Sequence, residues 1–244
     1  MTKWKSAAAR RLKEFANAKS VETAAVEIGR RLTEGQILPP TRLEEIFPRV
    51  NIRACYIDHE LQTAGELREA DDAFEIATSE SDSPARRRFT IAHEIAHAVF
   101  ERTGPHCPRR GRELENLCDM VASQILVPQH SLNTEAKLPL TLAEIERLAR
   151  AFEVSLTMMA IRCSGQFPVV CSQLQFGEVL WCTSGTAIGI RRPKAKLKEF
   201  FAKTHEDRRG QIDCQIELNG NFTNGIFEWI TTGEERILGL VRTR

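Results

Sequence analysis

Two histidines and one glutamate between positions 93 and 97 have the spacing of a metal-dependent hydrolase. The segment reads His93-Glu94-Ile95-Ala96-His97, which is the HExxH pattern. On a helix, residues four apart share one face, so the imidazoles of His93 and His97 can point to one metal ion. Glu94 would then stand beside a water held by that metal and act as its general base. The pattern predicts a zinc site with Glu94 as the catalytic residue.

The residues around this pattern favour a single helix. Ser83 can cap the first amides of that helix, and Pro84 suits its first position. Gly104-Pro105 would end it after Arg102. The alternative is a helix that carries two histidines only for packing and hydrogen bonding in the core. A third metal ligand on the following segment weighs against that alternative.

A catalytic zinc needs three protein ligands, and the HExxH helix supplies two of them. The next segment, 112–126, is predicted to be a helix because Leu114, Leu117, Val121 and Ile125 recur at helical spacing. Glu115 and Asp119 share one face of that helix, whereas Glu113 points elsewhere. We expect Glu115 to bind the metal and Asp119 to accept a hydrogen bond from the free ring nitrogen of a ligating histidine.

Other third ligands can be weighed by their spacing. The longer HExxHxxGxxH site is excluded, because Phe100 and Thr103 stand where it needs glycine and histidine. His106 and Cys107 lie in a segment rich in Gly, Pro and Arg and remain backup ligands. Cys118 is close enough to Glu115 to compete, but its apolar helix face favours a buried structural thiol.

Composition places the chain among ordinary globular proteins. Hydrophobic residues make up 42% and charged residues 27%, which is near the average for that class. A length of 244 residues fits one large domain or two of unequal size. The formal net charge of +1 gives no overall field that would hold a polyanion, so nucleic-acid binding would need a local patch. Composition alone names no function.

Three features predict a cytoplasmic location. The N-terminal residues carry positive charge but lack the apolar core of a secretory signal. No apolar run is long enough to cross a membrane. The seven cysteines are scattered, without the paired spacing of a disulfide framework or a zinc ribbon. Reduced thiols in a cytoplasm fit this pattern, and no membrane partner is expected.

The part of the chain before the HExxH segment reads as helices followed by short strands. A helix is predicted after Ser20, with apolar residues at helical spacing up to Leu32. Pro39-Pro40 breaks the chain, a short helix follows near 43–47, and strands are expected near 50–56 and 74–77. The first half is therefore predicted to be of the α+β class, with helices packed on a small sheet.

Residues 141–163 raise the question of DNA binding. Thr141 and Glu144 form a capping box, and Ser155 can start a second short helix, so the segment resembles a helix-turn-helix. The second helix, 156–162, offers almost no amide or guanidinium groups to base edges. Packing is the better interpretation and direct DNA reading is not expected. Phosphate contacts from Arg147, Arg150 and Arg162 stay open as an alternative.

After Gly165 the sequence changes to short strands. They are expected at 169–176, 178–182, 187–191, 212–218, 222–231 and 236–241, with a helix near 194–203. Asn219-Gly220-Asn221 and Asn224-Gly225 are typical of hairpin turns or bulges. An antiparallel sheet is predicted. We therefore divide the chain into a metallopeptidase domain at 1–135, a helical hairpin at 136–164 and a β-rich domain at 165–244.

Three runs of the sequence resemble the ImmA/IrrE family of metallopeptidases. They are Arg88–His97, Glu115–Pro128 and Ile145–Ser155, and the resemblance extends over roughly residues 20–162. The family usually has alanine and asparagine where this chain has Cys118 and Asp119, a difference that leaves the ligand positions intact.

The resemblance implies a fold, a site and a substrate class. The fold would be a minimal zincin with a helical extension. His93, His97 and Glu115 would bind Zn²⁺, and Glu94 would be catalytic. Family members typically cut a helix-turn-helix transcriptional repressor, which relieves repression after stress or of a mobile element. One branch of the family carries a sensor-like C-terminal domain of the GAF type, which the predicted β-rich domain resembles in architecture.

We therefore expect a cytoplasmic zinc endopeptidase that cleaves a helix-turn-helix repressor. The arginine run at 109–112 lies between the two metal-bearing helices and is expected to steer an acidic stretch of the substrate. Tyr56, His106, His130 and nearby arginines are candidates for stabilising the oxyanion, and the sequence does not choose among them. The alternative is a non-catalytic regulator that keeps zinc for structure and binds a partner protein or DNA.

Overall fold

The computed structural model describes residues 4–37, 39–102, 111–176, 178–184, 188–189, 208–218, 221–233 and 236–243. The chain divides into two compact units, one of residues 1–134 and 151–154 and one of residues 135–150 and 155–244. Among the described helices, none combines the length and the apolar character needed to cross a membrane. The protein is of the α+β class, as predicted, with a β-rich C-terminal part.

The first unit combines several helices with a small sheet. The described helices are α1 (Ala7–Ala16), α2 (Val21–Leu32), α3 (Pro84–Arg102), α4 (Arg112–Leu126) and α5 (Gln129–Glu135), with 3-10 turns at Leu43–Glu45 and Phe47–Val50. The predicted cap of α2 is confirmed, since Ser20 Oγ accepts the Thr23 N–H at 3.1 Å. Helix α1, which the sequence analysis did not anticipate, is capped in the same way by Ser6 Oγ and the Ala9 N–H.

The sheet of the first unit has strands β1 (Ile52–Ile57), β2 (Gly65–Ala70) and β3 (Ala73–Thr78), in the order β1-β3-β2. Strand β1 runs parallel to β3, and β2 runs antiparallel to it. The expected strands near 50–56 and 74–77 are confirmed. Strand β2 was missed because Glu66, Arg68 and Glu69 interrupt the apolar pattern, which is common for a strand at the edge of a sheet.

Helices α3 and α4 form the centre of the first unit. The predicted limits of α3 are confirmed, and its apolar residues Ala92, Ile95, Ala96, Val99 and Phe100 are buried. In α4 the predicted apolar stripe is buried as well. Helix α2 crosses α4 at Gly29, where an added Cβ would lie 2.7 Å from the carbonyl oxygen of Gln124. Glycine is needed at this crossing because no side chain fits between the two backbones.

The second unit contains helices α6 (Leu142–Ala151) and α7 (Leu156–Gln166) and a sheet in the order β5-β4-β9-β8-β7-β6. The strands are β4 (Val169–Gln175), β5 (Glu178–Ser184), β6 (Ile188–Gly189), β7 (Arg209–Leu218), β8 (Asn221–Gly233) and β9 (Arg236–Thr243). All its described pairings are antiparallel, as predicted. Its apolar core is formed by Val170, Leu174, Ile216, Phe227, Trp229 and Val241.

Two local predictions for the second unit need correction. Asn224-Gly225 is not a turn but lies inside β8. Glycine is needed at position 225 because an added Cβ would lie 2.8 Å from the carbonyl oxygen of Arg242. The capping box of α6 is half formed: Thr141 Oγ1 accepts the Glu144 N–H, while the Glu144 carboxylate accepts the Lys137 N–H and pairs with Arg147.

Some predicted features fall outside the described residues. They are the helix near 194–203, the turn residues 219–220, and most of the segment that contains His106, Cys107, Arg109 and Arg110. The three-part domain division at 1–135, 136–164 and 165–244 stays a proposal.

Candidate metal centre

Helix α3 places His93 and His97 side by side. Their Nε2 atoms lie 3.1 Å apart and their ring centroids 4.9 Å apart. Both side chains are largely buried, with 16% and 19% of their surface exposed. The i, i+4 spacing alone brings the two rings to one side of the helix. Burial then restricts their rotamers, so that both Nε2 atoms face the same point.

Helix α4 adds a carboxylate to this pair. Glu115 Oε2 lies 3.1 Å from His93 Nε2 and 3.6 Å from His97 Nε2. Ligand atoms of a tetrahedral zinc site, with bonds of about 2.0–2.1 Å, lie about 3.4 Å apart. The triangle of two nitrogens and one oxygen therefore has the dimensions and the donor set that suit zinc. The Glu115 side chain is 48% exposed, so the site is open to solvent on this side.

Asp119 lies one helical turn after Glu115. Its Oδ1 is 2.9 Å from His93 Nδ1. An ionised carboxylate can only accept a hydrogen bond, so Nδ1 carries the ring proton. The lone pair of Nε2 is then directed toward the side of Glu115 and His97, where a metal ion would bind. Burial lowers the pKa of His93, but the hydrogen bond to Asp119 and the nearby carboxylates raise it by more. For His97, burial and the charge of His93 lower the pKa.

Glu94 occupies the most buried position of the group, with 8% of the residue exposed. Burial raises the pKa of Glu94 to about 7, the charge of His93 opposes this shift, and Glu115 adds to it. The Leu67 N–H donates a hydrogen bond to the carboxylate. A carboxyl group whose pKa lies near neutrality is well suited to accept a proton and release it again.

Strand β2 contributes contacts that the sequence analysis missed. Besides the Leu67 N–H, Gly65 lies against the turn of α3 that carries Thr90 and Glu94: an added Cβ there would be 2.2 Å from Thr90 Cγ2 and 3.4 Å from Glu94 Oε1. A lone glycine at the start of an alternating segment often marks such a close approach. That signal exists in the sequence, but only the packing of β2 on α3 tells which residue approaches.

Cys118 is the competing third ligand within the described residues. It is fully buried, as predicted for a structural thiol. Its Sγ and the ring nitrogens of His93 and His97 all lie within 4.8 Å of one another, so these three residues could also hold a metal. Glu115 approaches both histidines to 3.6 Å or less, which favours the carboxylate. The backup ligands His106 and Cys107 lie outside the described residues.

Of two other candidate residues, Tyr56 has a side-chain partner elsewhere and His130 is exposed to solvent. The Tyr56 hydroxyl accepts a hydrogen bond from Arg68 at 3.1 Å, and Arg68 also pairs with Asp58. His130 is exposed, and its carbonyl accepts a bond from the Thr134 hydroxyl. Neither contact involves the His93, His97 and Glu115 group, so no residue for oxyanion stabilisation is assigned.

Comparison with known proteins identifies the region that holds this group. A family model described as the IrrE N-terminal-like domain, peptidase M78, matches residues 49–164. Among solved structures, a Mycobacterium tuberculosis transcriptional regulator matches with a TM-score of 0.59 and 17% identity, over 97% of this chain and 80% of that chain. At that identity the likeness bears on the fold alone. No curated protein matches the chain in sequence.

Proposed function

Because the chain belongs to the ImmA/IrrE family through its IrrE N-terminal-like domain at residues 49–164, we propose that it is a zinc-dependent endopeptidase that cleaves a helix-turn-helix transcriptional repressor. The observation that carries this proposal is the triangle of His93, His97 and Glu115 next to a buried Glu94. In this proposal the enzyme acts in the cytoplasm, where such a repressor works.

The metal would be held by His93 Nε2, His97 Nε2 and Glu115 Oε2. When bound, zinc would supply a Lewis acid that polarises the scissile carbonyl and makes a nearby water easier to deprotonate. Asp119 would keep the His93 ring in the tautomer and orientation that metal binding requires, since its Oδ1 accepts a hydrogen bond from Nδ1–H.

Glu94 would carry the protons of the reaction. Its carboxylate would accept a proton from the attacking water and later give that proton to the leaving amine. The Leu67 N–H would orient the carboxylate during both transfers. Burial raises the pKa of Glu94 to about 7, so its surroundings can accommodate the protonated carboxyl group as well as the carboxylate.

The open side of β2 supports an extended peptide as substrate. Strand β2 pairs with β3 along one side and with no other described strand. The Leu67 N–H of this strand reaches Glu94. A peptide added to β2 as a further strand would pass beside the catalytic carboxylate, and its backbone would be recognised through strand-like hydrogen bonds.

The repressor as substrate is supported by the family, whose members typically cut such proteins. Selectivity would come from docking rather than from the site alone, because indiscriminate proteolysis inside a cell is harmful. The arginine run at 109–112 is one proposed docking surface; of its residues, Gly111 and Arg112 are described, and both are exposed.

The test compares wild-type protein with Glu94→Gln. Both are incubated with zinc and candidate repressors, and the fragments are analysed by mass spectrometry. We expect one or a few cuts outside the DNA-binding core of a repressor, made by the wild-type protein only, and equal zinc content in both proteins. Digestion of casein at a comparable rate would contradict the specific substrate. Stoichiometric zinc without any Glu94-dependent cut would favour the non-catalytic regulator.

A further inference from the structure

The turn of α4 that carries Glu115 has no side-chain cap of its own. The N-cap position is Gly111, with φ of 148°, and among the described residues no side-chain cap hydrogen bond to the first amides is found. Within the helix, the Glu115 N–H bonds to Gly111 O at 3.1 Å. The first turn of a helix without a cap tends to fray. Yet this turn carries the carboxylate that completes the triangle with His93 and His97.

A contact from far away in sequence holds this turn. Glu113 Oε1 accepts the backbone N–H of Ser6 at 3.0 Å, across 107 positions of the chain. The Ser6 hydroxyl and the Lys5 N–H also donate to the same carboxylate. Glu113 is two residues from Glu115, so the two side chains leave the helix on nearly opposite sides. Glu113 therefore does not approach the metal ligands and faces the start of α1.

The start of α1 is itself anchored. The Ser6 Oγ caps α1 by accepting the Ala9 N–H, and Leu12 on the same helix is fully buried. Just before the helix, Trp4 Nε1 donates to Glu22 of α2 at 3.0 Å. A hydrogen bond to an anchored backbone N–H restrains a helix turn far better than one to a free chain end, because little entropy is left to lose.

We propose that Glu113 is a positioning residue, which ties the first turn of α4 to Ser6 and so holds Glu115 in reach of His93 and His97. This inference rests on the proposed metal site. Glu113 would orient the ligand Glu115 without touching the metal. Loss of residues that orient metal ligands typically weakens metal binding about 10- to 100-fold.

The first experiment compares Glu113→Ala with Glu113→Gln in the full chain. Zinc affinity is measured by competition with a chelator, and the visible absorption spectrum of the Co²⁺ form reports the ligand geometry. We expect Glu113→Ala to bind zinc about tenfold more weakly and to change the Co²⁺ spectrum. Glu113→Gln should lose less than Glu113→Ala, because its amide oxygen still accepts the Ser6 N–H, although its amide nitrogen can accept no bond from the Ser6 hydroxyl or the Lys5 N–H. Wild-type affinity and spectrum in folded Glu113→Ala would overturn the inference.

The second experiment changes the donor instead of the acceptor. Ser6 has φ of −67°, which proline can adopt, so Ser6→Pro removes the N–H without straining the backbone. Ser6→Ala is the matched control, since both variants lose the hydroxyl and only Ser6→Pro loses the amide donor. We expect weaker zinc binding in Ser6→Pro than in Ser6→Ala. Equal binding in the two variants would contradict the inference.

Trp4→Phe serves as a control for general docking of the N-terminal segment. It removes the bond to Glu22 on α2 and leaves the contact with Glu113 in place. Zinc affinity should fall much less than in Glu113→Ala, because the Ser6 cap and the buried Leu12 still anchor the start of α1. A loss as large as that of Glu113→Ala would overturn the specific role of Glu113. Failure of the wild-type protein to bind zinc would overturn the proposed metal site itself, and is therefore a separate outcome.

Discussion

Oδ1 of Asp119 lies 2.9 Å from Nδ1 of His93, on the side of the imidazole ring opposite the Nε2 atom that faces Glu115. Both carboxylates come from α4, one helical turn apart, so a single helix contacts both nitrogens of one ring. The ring is thereby held between an oxygen atom of Asp119 that accepts its Nδ1–H hydrogen bond and an oxygen atom of Glu115 that would share its metal.

The first prediction concerns this pairing. Asp119→Ala should lower zinc affinity about 10- to 100-fold, because the His93 ring loses the acceptor that sets its tautomer and orientation. Asp119→Asn should lose less zinc affinity, since its amide oxygen can still accept a hydrogen bond from Nδ1–H. Chelator competition measures both affinities. Equal affinities of Asp119→Ala and wild type would remove Asp119 from the site.

The second prediction decides between the two candidate third ligands. Glu115→Ala should purify without stoichiometric zinc, because the two remaining nitrogens cannot complete a three-ligand site. Cys118→Ala should keep its zinc, although removing a fully buried thiol costs about 1 kcal/mol of stability. Metal content is measured on both proteins after dialysis. Zinc retained by Glu115→Ala and lost by Cys118→Ala would reverse the assignment.

The third prediction tests the packing of β2 against the turn of α3 that carries Thr90 and Glu94. Gly65→Ala places a methyl group 2.2 Å from Thr90 Cγ2, so β2 must move away from α3. We expect lower peptidase activity and a stability loss of about 1–3 kcal/mol. Adding Thr90→Ser removes the clashing methyl and should restore much of both.

Thr90→Ser alone is the matched control for that pair, and it should behave like the wild-type protein in activity. Urea unfolding and cleavage rates are measured on all four proteins. Independent, additive effects of the two substitutions would show that Gly65 and Thr90 do not share this contact.

The fourth prediction separates the second unit from the metal site. The Glu228 carboxylate accepts the Leu142 N–H at 2.8 Å and the Arg242 Nε–H at 2.7 Å, in a pair whose side chains are only 11% and 12% exposed. Glu228→Ala leaves a buried guanidinium and an amide without this partner, which should cost about 3–5 kcal/mol. Zinc content and Glu94-dependent cleavage of the folded variant should not change.

We propose that residues 1–162 hold the peptidase while residues 165–244 act on stability or regulation, and this result would support that division. Replacing both Glu228 and Arg242 by methionine is the control, and it should recover much of the lost stability because no unpaired charge remains. Loss of zinc from folded Glu228→Ala would argue against that division.

Features that depend on residues close together in the chain could be predicted from the sequence. The limits of α3, the cap of α2 by Ser20 and the buried stripe of α4 follow from contacts within four or five positions. The pairing of His93 with His97 is of the same kind, since helix geometry alone brings their rings together. The antiparallel strands of the second unit were also predicted, because their alternation and turns are local signals.

Contacts between segments that are distant in the chain could be identified only from the tertiary structure. Strand β2 was missed because its charged edge carries little apolar pattern, although Gly65 and Leu67 reach Glu94. The tie between Glu113 and Ser6 spans 107 positions, and no local pattern marks it. Gly225 was misread as a turn because glycine permits turns and also permits a strand that a neighbouring backbone approaches closely. Whether such a glycine lies in a turn or in a strand depends on the residues that pack against it, and those residues come together only when the chain folds.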